Sequence, residues 1–288
     1  MAELEIPANL RRTLERDPPL GSWVSALPDV IAGLAERWSL RVGRPFQPGG
    51  TTSWVAPATG RDGDRLVLKV GRLHDEALHE ADGLRAWAGN GTVRVYQADR
   101  FGETSALVLE ACRPGTTLSE ALPPPECDEV VAELLPRLWI APPPGHPFRP
   151  LQQMVDAWAA EYRAEPIVAP DPGLARAGLE VWLGLPATAT RNVLLCTDLH
   201  PGNVLAAQRE PWLVIDPKPY VGDPAYEPVQ HMLNFPDRLI AGPGAFADRM
   251  AALLDLDAGR VRQYLFARCV LQAGESPELW SVVQDLAP

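Results

Sequence analysis

The sequence has 288 residues, of which 46% are hydrophobic and 22% charged, with a net charge of −11. These values predict one domain or two packed lobes of a globular protein and exclude a wholly disordered chain. The acidic balance argues against nucleic acid, which requires a basic surface, and would suit a cationic small molecule. No apolar run approaches the roughly 20 residues that span a bilayer, and the N-terminus lacks the order of a signal peptide. We therefore expect no membrane partner and a cytoplasmic location.

Cysteine and lysine usage narrows the possible chemistry. The four cysteines are isolated from one another, with no C-x-x-C pair, which predicts reduced and mostly buried thiols. Only Lys69 and Lys218 among the 26 basic residues are lysines. Arginine and lysine are not interchangeable at a phosphate, so both lysines are candidates for a function.

The first third of the chain is predicted to be rich in strands. A helix is expected over residues 28–38, with Pro28 in its first turn and Pro18-Pro19 as an earlier break. Apolar residues at three-and-four spacing predict an amphipathic helix over residues 75–87. Extended runs and turn residues predict strands on either side of the glycines at 49–50, and at 66–70, 93–97 and 106–110.

Helices dominate the predicted remainder of the chain. They are expected at residues 126–139, 151–165 and 173–185, and along the C-terminal stretch from residue 245. The interpretation is an α+β fold of two lobes. Residues 1–111 would form a small antiparallel-sheet lobe with one interior helix, and residues 112–288 a larger, mainly helical lobe.

The most specific pattern lies between two short apolar strands at residues 194–205. Asp198 and Asn203 stand five residues apart in the loop, and Asp216 follows another apolar run thirteen residues later. This spacing is typical of kinases, where the first carboxylate accepts the proton of the attacking hydroxyl. Asn203 and Asp216 would bring oxygen ligands to Mg²⁺. Each residue alone is compatible with a capped turn or a strand exit; the combination favours phosphoryl transfer from ATP.

Lys69 is predicted to bind the nucleotide. It lies near the end of the strand at 66–70, where kinases place the lysine that contacts the α- and β-phosphates. A strand-end lysine is more often a solvated charge, but the scarcity of lysine here favours function. Its acidic partner would be Glu80, with Glu76 as the alternative, since the two lie one turn apart on one helix face.

Two further segments are candidate nucleotide contacts. Gly49 and Gly50 could form a loop of backbone amides over the phosphates, although an ordinary hairpin turn explains them equally well. Glu110 and Cys112 bracket the end of the last strand of the small lobe, where a hinge would offer backbone groups to adenine.

Taken together, the motifs resemble the aminoglycoside phosphotransferase family, and more narrowly its streptomycin 6-phosphotransferase and hydroxyurea phosphotransferase branch. The resemblance runs from about residue 45 to the C-terminus. The segments that carry it are VLKV at 67–70, EADGLRAW at 80–87, PGTTL at 114–118, DLHPGN at 198–203 and IDPKPYVGDP at 215–224.

This resemblance implies a protein-kinase-like fold of two lobes and transfer of the γ-phosphate of ATP, with Mg²⁺, to a hydroxyl of an antibiotic. It assigns Asp198 as the catalytic carboxylate, Asn203 and Asp216 as metal ligands, and Lys69 as the phosphate lysine. The sequence departs from the family at one point, because Cys196-Thr197 stands where His-Gly usually precedes the catalytic Asp. Lys218 would either contact the phosphate or acceptor, or pair with an acid such as Asp223.

Three functions remain open on the sequence alone. They are a kinase of streptomycin or a close relative, a kinase of hydroxyurea or another small metabolite, and a nucleotide-binding module without catalysis. A protein kinase is disfavoured because no A-P-E segment follows Asp216. Candidate residues for a cationic acceptor are the acids Glu227, Asp237 and Glu275, whereas Trp158, Trp182 and Trp280 are expected mainly in the core.

Overall fold

The fold was analysed in a computed structural model that describes residues 4–164 and 169–288. The chain divides into two compact units, residues 1–115 and 116–288. The sequence-based boundary lay four residues earlier, and the assignment of nucleotide binding to one lobe and acceptor binding to the other stays a prediction.

Unit 1 is built on one antiparallel sheet with helices before and within it. Its helices are α1 (Ala8–Arg16), α2 (Leu20–Arg37) and α3 (Glu80–Trp87). Its strands are β1 (Arg41–Val42), β2 (Ser53–Thr59), β3 (Arg65–Arg72), β4 (Val95–Phe101) and β5 (Thr104–Glu110). The strand order is β1-β2-β3-β5-β4.

Strand alternation gives the two faces of this sheet different roles. Leu68 and Val70 of β3 are fully buried in a core that includes Leu27 of α2 and Trp54 of β2. Because successive side chains of a strand point to opposite faces, Lys69 lies on the face away from this core. Helix α2 thus packs on one face of the sheet, and Lys69 projects from the opposite face.

Three features of unit 1 differ from the sequence-based prediction. Helix α2 begins at Leu20 and continues through Pro28, so this proline does not start the helix. Residues 76–79 form a 3₁₀ turn ahead of α3 instead of part of one α-helix. The chain before Gly49 is a loop whose Phe46 N–H donates to the Val55 carbonyl oxygen, rather than a full strand.

Unit 2 is mainly helical. Its first helices are α4 (Leu118–Ala121), α5 (Pro124–Leu138), α6 (Leu151–Ala164) and α7 (Pro172–Gly184). Its later helices are α8 (Glu227–Leu233), α9 (Pro236–Ala241), α10 (Pro243–Leu254), α11 (Ala258–Gln272) and α12 (Leu279–Leu286). The predicted end of α6 at residue 165 lies outside the described residues. Within the described ranges, no helix has both the length and the apolar character that crossing a bilayer requires.

Two small sheets interrupt the helices of unit 2. One contains β6 (Arg149–Pro150), β10 (Tyr220–Gly222) and β7 (Val193–Leu195), in that order. The other is the antiparallel hairpin of β8 (Val204–Ala206) and β9 (Trp212–Val214). The loop that carries Asp198 therefore runs from β7 of one sheet to β8 of the other.

A buried carboxylate ties α5 to α8, α9 and α10. Asp128 has no exposed surface and accepts two hydrogen bonds from the Arg238 guanidinium, at 2.8 and 2.6 Å. Arg249 Nε and His231 Nε2 each lie 2.8 Å from a carboxylate oxygen of Asp128. Burial alone would raise the pKa of Asp128, but these hydrogen bonds outweigh it and lower the pKa to about 2.

We expect Asp128→Asn to destabilise the protein by about 3 to 5 kcal/mol, because it leaves two guanidinium groups facing a neutral amide. Urea unfolding of both proteins measures the change. The matched control is Glu129→Gln, whose exposed carboxylate lies 3.3 Å from Arg249 and should change stability by less than about 1 kcal/mol. Equal unfolding midpoints for D128N and the wild type would contradict this account of the cluster.

Candidate active site

The predicted phosphate lysine forms an ion pair in unit 1. Lys69 Nζ lies 2.8 and 2.7 Å from the two carboxylate oxygens of Glu80. Glu80 is buried in the first turn of α3, and the Lys69 side chain is only 11% exposed. A lysine held this way has a fixed ammonium position, as a phosphate contact requires. Of the two candidate partners, the structure therefore pairs Glu80 with Lys69.

The glycine loop and the hinge segment have structural contacts of their own. Gly49 has a φ of +75°, and a Cβ at this position would lie 2.5 Å from Pro7. Its carbonyl oxygen accepts a 2.6 Å hydrogen bond from Asn9, so α1 holds this loop, with Gly50 next to it. At the hinge, the Glu110 carboxylate accepts from the Arg94 N–H, and Cys112 is half-buried. Nucleotide contacts at these four residues stay predictions.

The hairpin β8–β9 brings the two predicted metal ligands to the same end. Val204 pairs with Val214, and the Ile215 N–H donates to the Asn203 carbonyl oxygen at 2.9 Å. Asn203 therefore accepts the hydrogen bond at the end of the hairpin, and Asp216 directly follows the residue that donates it. Asn203 Nδ2 donates to the Asp198 carbonyl oxygen at 3.1 Å, which leaves its amide oxygen as the ligand atom.

This donor set fits magnesium. Mg²⁺ takes oxygen ligands and keeps several waters and phosphates beside one or two protein carboxylates. Asn203 and Asp216 supply an amide and a carboxylate oxygen. Within the described ranges no three His, Cys, Asp or Glu side chains form a denser metal site.

The Asp198 carboxylate is held by three side chains. Oδ1 accepts a 3.1 Å hydrogen bond from Gln230 of α8, and Oδ2 lies 3.1 Å from Lys218 Nζ. Asn203 Nδ2 is 3.4 Å from Oδ2. With its side chain 15% exposed, Asp198 is oriented yet reachable by a substrate.

Lys218 therefore pairs with Asp198, and not with Asp223 as one alternative held. Asp223 is buried and bonds instead to Arg260, whose guanidinium also donates to the Leu185 carbonyl oxygen. The Asp223 carboxylate additionally accepts from the Ala225 N–H, which caps the short turn before α8. Lys218 thus belongs to the immediate surroundings of Asp198.

Glu227 forms hydrogen bonds with the backbone of the loop that leads into Asp198. Its buried carboxylate accepts the N–H groups of Cys196 and Thr197 at 3.1 and 2.7 Å. Burial raises the pKa of Glu227 to about 7, although the two N–H donors favour the ionised form. The suggestion that Glu227 binds the acceptor is therefore wrong, because its oxygens face the protein backbone.

His200 acts as an acceptor in this loop. Its Nδ1 accepts the Gly202 N–H at 3.1 Å. Burial lowers the pKa of His200, which favours the neutral ring that this contact requires. A Cβ on Gly202 would lie 2.9 Å from the His200 ring, which explains the glycine.

The contacts of Glu227 and Gln230 with the Asp198 loop were not predicted from the sequence. The two residues stand three apart on α8 and share a helix face, one bonding the loop backbone and the other the Asp198 side chain. The spacing was visible in the sequence. Only the fold, however, shows that this face lies against the loop.

The remaining acceptor candidates have different surroundings. Trp182 and Trp280 are buried as expected. Asp237 is exposed in the first turn of α9. Glu275 lines a cavity of about 680 Å³ in unit 2, together with Trp158, Glu161, Tyr162 and Gln272. The half-buried Trp158 stacks on Trp182 with ring centroids 5.7 Å apart, so it borders both the core and the cavity.

The fold and the oriented Asp198 define a kinase-like phosphotransferase that acts on a hydroxyl group. The amicoumacin kinase hAmiN, solved in complex with AMP-PNP, Ca²⁺ and Ami, shares this fold with a TM-score of 0.55 at 15% identity. That alignment covers 92% of this chain and 94% of hAmiN.

More specifically, the chain belongs to the aminoglycoside/hydroxyurea antibiotic resistance kinase family, whose model matches residues 37–278. It is 33% identical to a streptomycin 6-kinase of Streptomyces griseus, over 92% of this chain and 86% of that protein. It is 35% identical to a hydroxyurea phosphotransferase of Kitasatospora aureofaciens, over 98% and 81% respectively. The family resemblance inferred from the motifs is confirmed.

The raised pKa of Glu227 predicts a pH-dependent stability. The folded chain holds the proton of Glu227 more tightly than the unfolded chain, in which the Glu227 carboxyl titrates near 4.5. The protonated carboxyl therefore adds its full contribution to the free energy of unfolding below about pH 4.5. This contribution is lost as the pH rises through about 7, by about 3 kcal/mol in total.

Urea unfolding of the wild type and Glu227→Gln from about pH 5 to about pH 8 measures this change. The stability of the wild type relative to E227Q should fall across the range, since glutamine does not titrate. Parallel pH curves for the two proteins would contradict the assigned titration.

Proposed function

We propose that this protein transfers the γ-phosphate of ATP, with Mg²⁺, to a hydroxyl group of streptomycin or a closely related aminoglycoside. The observation that carries the proposal is the Asp198 carboxylate, held by Gln230 and Lys218 beside the end of the β8–β9 hairpin. The similarity to streptomycin 6-kinases of two Streptomyces species supports this choice of acceptor.

In this proposal Asp198 orients the acceptor hydroxyl and accepts its proton as the hydroxyl oxygen bonds to the γ-phosphorus of ATP. The bond between that phosphorus and the β–γ bridging oxygen breaks, and ADP leaves. Gln230 fixes the carboxylate plane through Oδ1, so that Oδ2 and its lone pairs keep one direction. Lys218, beside Oδ2, contacts the transferring phosphoryl group and offsets its negative charge. Positioning and electrostatics are what phosphoryl transfer demands of a protein, since its transition state involves little covalent chemistry with the enzyme.

The nucleotide roles follow from the same chemistry. Lys69, fixed by Glu80, would contact the α- and β-phosphates. Asn203 and Asp216 would hold magnesium, which neutralises charge on the phosphates when it is bound. Gly49 and Gly50 would contribute backbone amides near the phosphates, and the chain from Glu110 to Cys112 would contact adenine.

Hydroxyurea is the second candidate acceptor, because the chain is similar to a hydroxyurea phosphotransferase over nearly its whole length. It is a small neutral molecule and needs no acidic pocket. Streptomycin carries guanidinium groups, which carboxylates bind strongly. Glu161 and Glu275 line one cavity together with Arg268, and these two carboxylates support streptomycin as the acceptor.

Asp198→Ala should lower kcat by about a hundredfold or more, the usual loss when a general base is removed. ADP release is measured with ATP and Mg²⁺ in the presence of streptomycin, other aminoglycosides or hydroxyurea. The control is Asp285→Ala, which removes an exposed carboxylate from α12.

Each outcome of this assay separates the candidate functions. Turnover with hydroxyurea alone would replace the proposed acceptor. Tight Mg·ATP binding without any acceptor-dependent ADP release would favour a module that binds nucleotide without catalysis. Full activity of D198A would remove the central assignment.

The cavity with Glu161 and Glu275 gives a separate prediction about the acceptor. Replacing Glu161 and Glu275 together by glutamine should raise the KM for streptomycin about tenfold, since hydrogen bonds to charged groups contribute on this scale. The change in kcat should stay small. Glu278→Gln, an exposed acid one turn beyond Glu275, serves as the matched control. An unchanged KM in the double variant would exclude the cavity as the acceptor site.

A further inference from the structure

The backbone of Thr197 has an unusual conformation for its residue type. Its φ is +54°, in the left-handed region that favours glycine and that β-branched residues rarely adopt. Such conformations persist where surrounding contacts determine them, and they concentrate at functional sites. A glycine would fit this backbone more easily, so the threonine side chain needs an explanation of its own.

The Thr197 hydroxyl forms a hydrogen bond that glycine could not make. Oγ1 donates a short hydrogen bond to the carbonyl oxygen of Lys218. The Thr197 N–H is engaged separately with the Glu227 carboxylate. The two contacts point in different directions, one anchoring the loop to α8 and the other joining it to the segment that carries Lys218.

Lys218 is tied to the catalytic loop by both its backbone and its side chain. Its N–H donates to the Cys196 carbonyl oxygen at 2.9 Å, its carbonyl oxygen accepts from Thr197, and its Nζ lies 3.1 Å from Asp198. A lysine side chain has many rotamers and loses much entropy when it is fixed. Bonds on both sides of its Cα hold the start of that side chain in place.

We propose that Thr197 is a positioning residue whose hydroxyl holds Lys218 so that its ammonium group stays beside the Asp198 carboxylate. The proposal rests on the proposed function, in which Lys218 offsets charge on the phosphoryl group. Threonine at this position then adds a hydrogen bond that glycine cannot make. The loop with Cys196-Thr197 therefore keeps its catalytic role and gains one hydrogen bond to the backbone of Lys218.

The scarcity of lysine provides a direct test that needs no turnover. A protein labelled with ¹³C-lysine gives signals from only Lys69 and Lys218, and Lys218→Arg assigns them. Thr197→Val keeps the side-chain shape and removes the hydroxyl. The Lys218 side-chain signals should move toward those of a free lysine in T197V and stay in place in Thr197→Ser. Lys69, paired with Glu80, is the internal reference. Unchanged Lys218 signals in T197V would overturn the proposal.

Kinetics test the consequence for catalysis. T197V and Thr197→Gly should each lower kcat about tenfold with little change in the KM for streptomycin, and T197S should restore most of kcat. The control is Thr188→Val, which removes another hydroxyl that donates to a backbone carbonyl oxygen, that of Leu185. T197G is the decisive variant because it relieves the backbone conformation. Wild-type kcat in T197G would show that the Thr197 hydroxyl does not contribute to turnover, and would overturn the proposal.

A double-mutant cycle identifies the route of the effect. If Thr197 acts through Lys218, then T197V should cause no further loss of kcat in a Lys218→Ala background. Losses that add would place the effect elsewhere and overturn the proposal. A wild type without acceptor-dependent turnover would remove the proposed function, whereas the lysine signals would still decide whether Thr197 positions Lys218.

Discussion

A buried carboxylate that accepts two consecutive backbone N–H groups is the constraint on which this site depends. Glu227 is nearly inaccessible to water, and a carboxylate there is tolerated only where hydrogen bonds replace its hydration. Its donors are the two residues directly before Asp198. The same contact therefore holds the backbone of Cys196 and Thr197, the two residues that lead into Asp198.

Helix α8 connects this contact to the rest of unit 2. Glu227 and Gln230 on one face bond the loop, while His231, the next residue, bonds Asp128 of α5. The single negative charge of Asp128 faces two arginines, one from α9 and one from α10. Helix α8 therefore carries both a contact to the buried Asp128 cluster and the glutamine that bonds the Asp198 carboxylate.

The sequence predicted the parts of the fold that follow from local periodicity and spacing. Strand β3 with Lys69, the helices α5 and α7, and the strand-loop-strand around Asp198 come from patterns that neighbouring residues establish alone. Pro28 misled the prediction because tertiary packing of Leu27 and Ile31 carries α2 past it. The pairing of Lys218 with Asp198 depends on hydrogen bonds between segments some twenty residues apart, for which one sequence contains no signal. The same holds for Glu227, which we expected to be a candidate residue for binding a cationic acceptor.

We propose that the loop of Cys196, Thr197 and Asp198 is catalytically active, despite its departure from the usual His-Gly-Asp. The most direct test incubates the wild-type protein with streptomycin, ATP and Mg²⁺ and analyses the antibiotic by mass spectrometry, with D198A in parallel. The account predicts that streptomycin gains the mass of one phosphoryl group with the wild type and not with D198A. Unmodified streptomycin after incubation with a wild-type protein that binds Mg·ATP would contradict it.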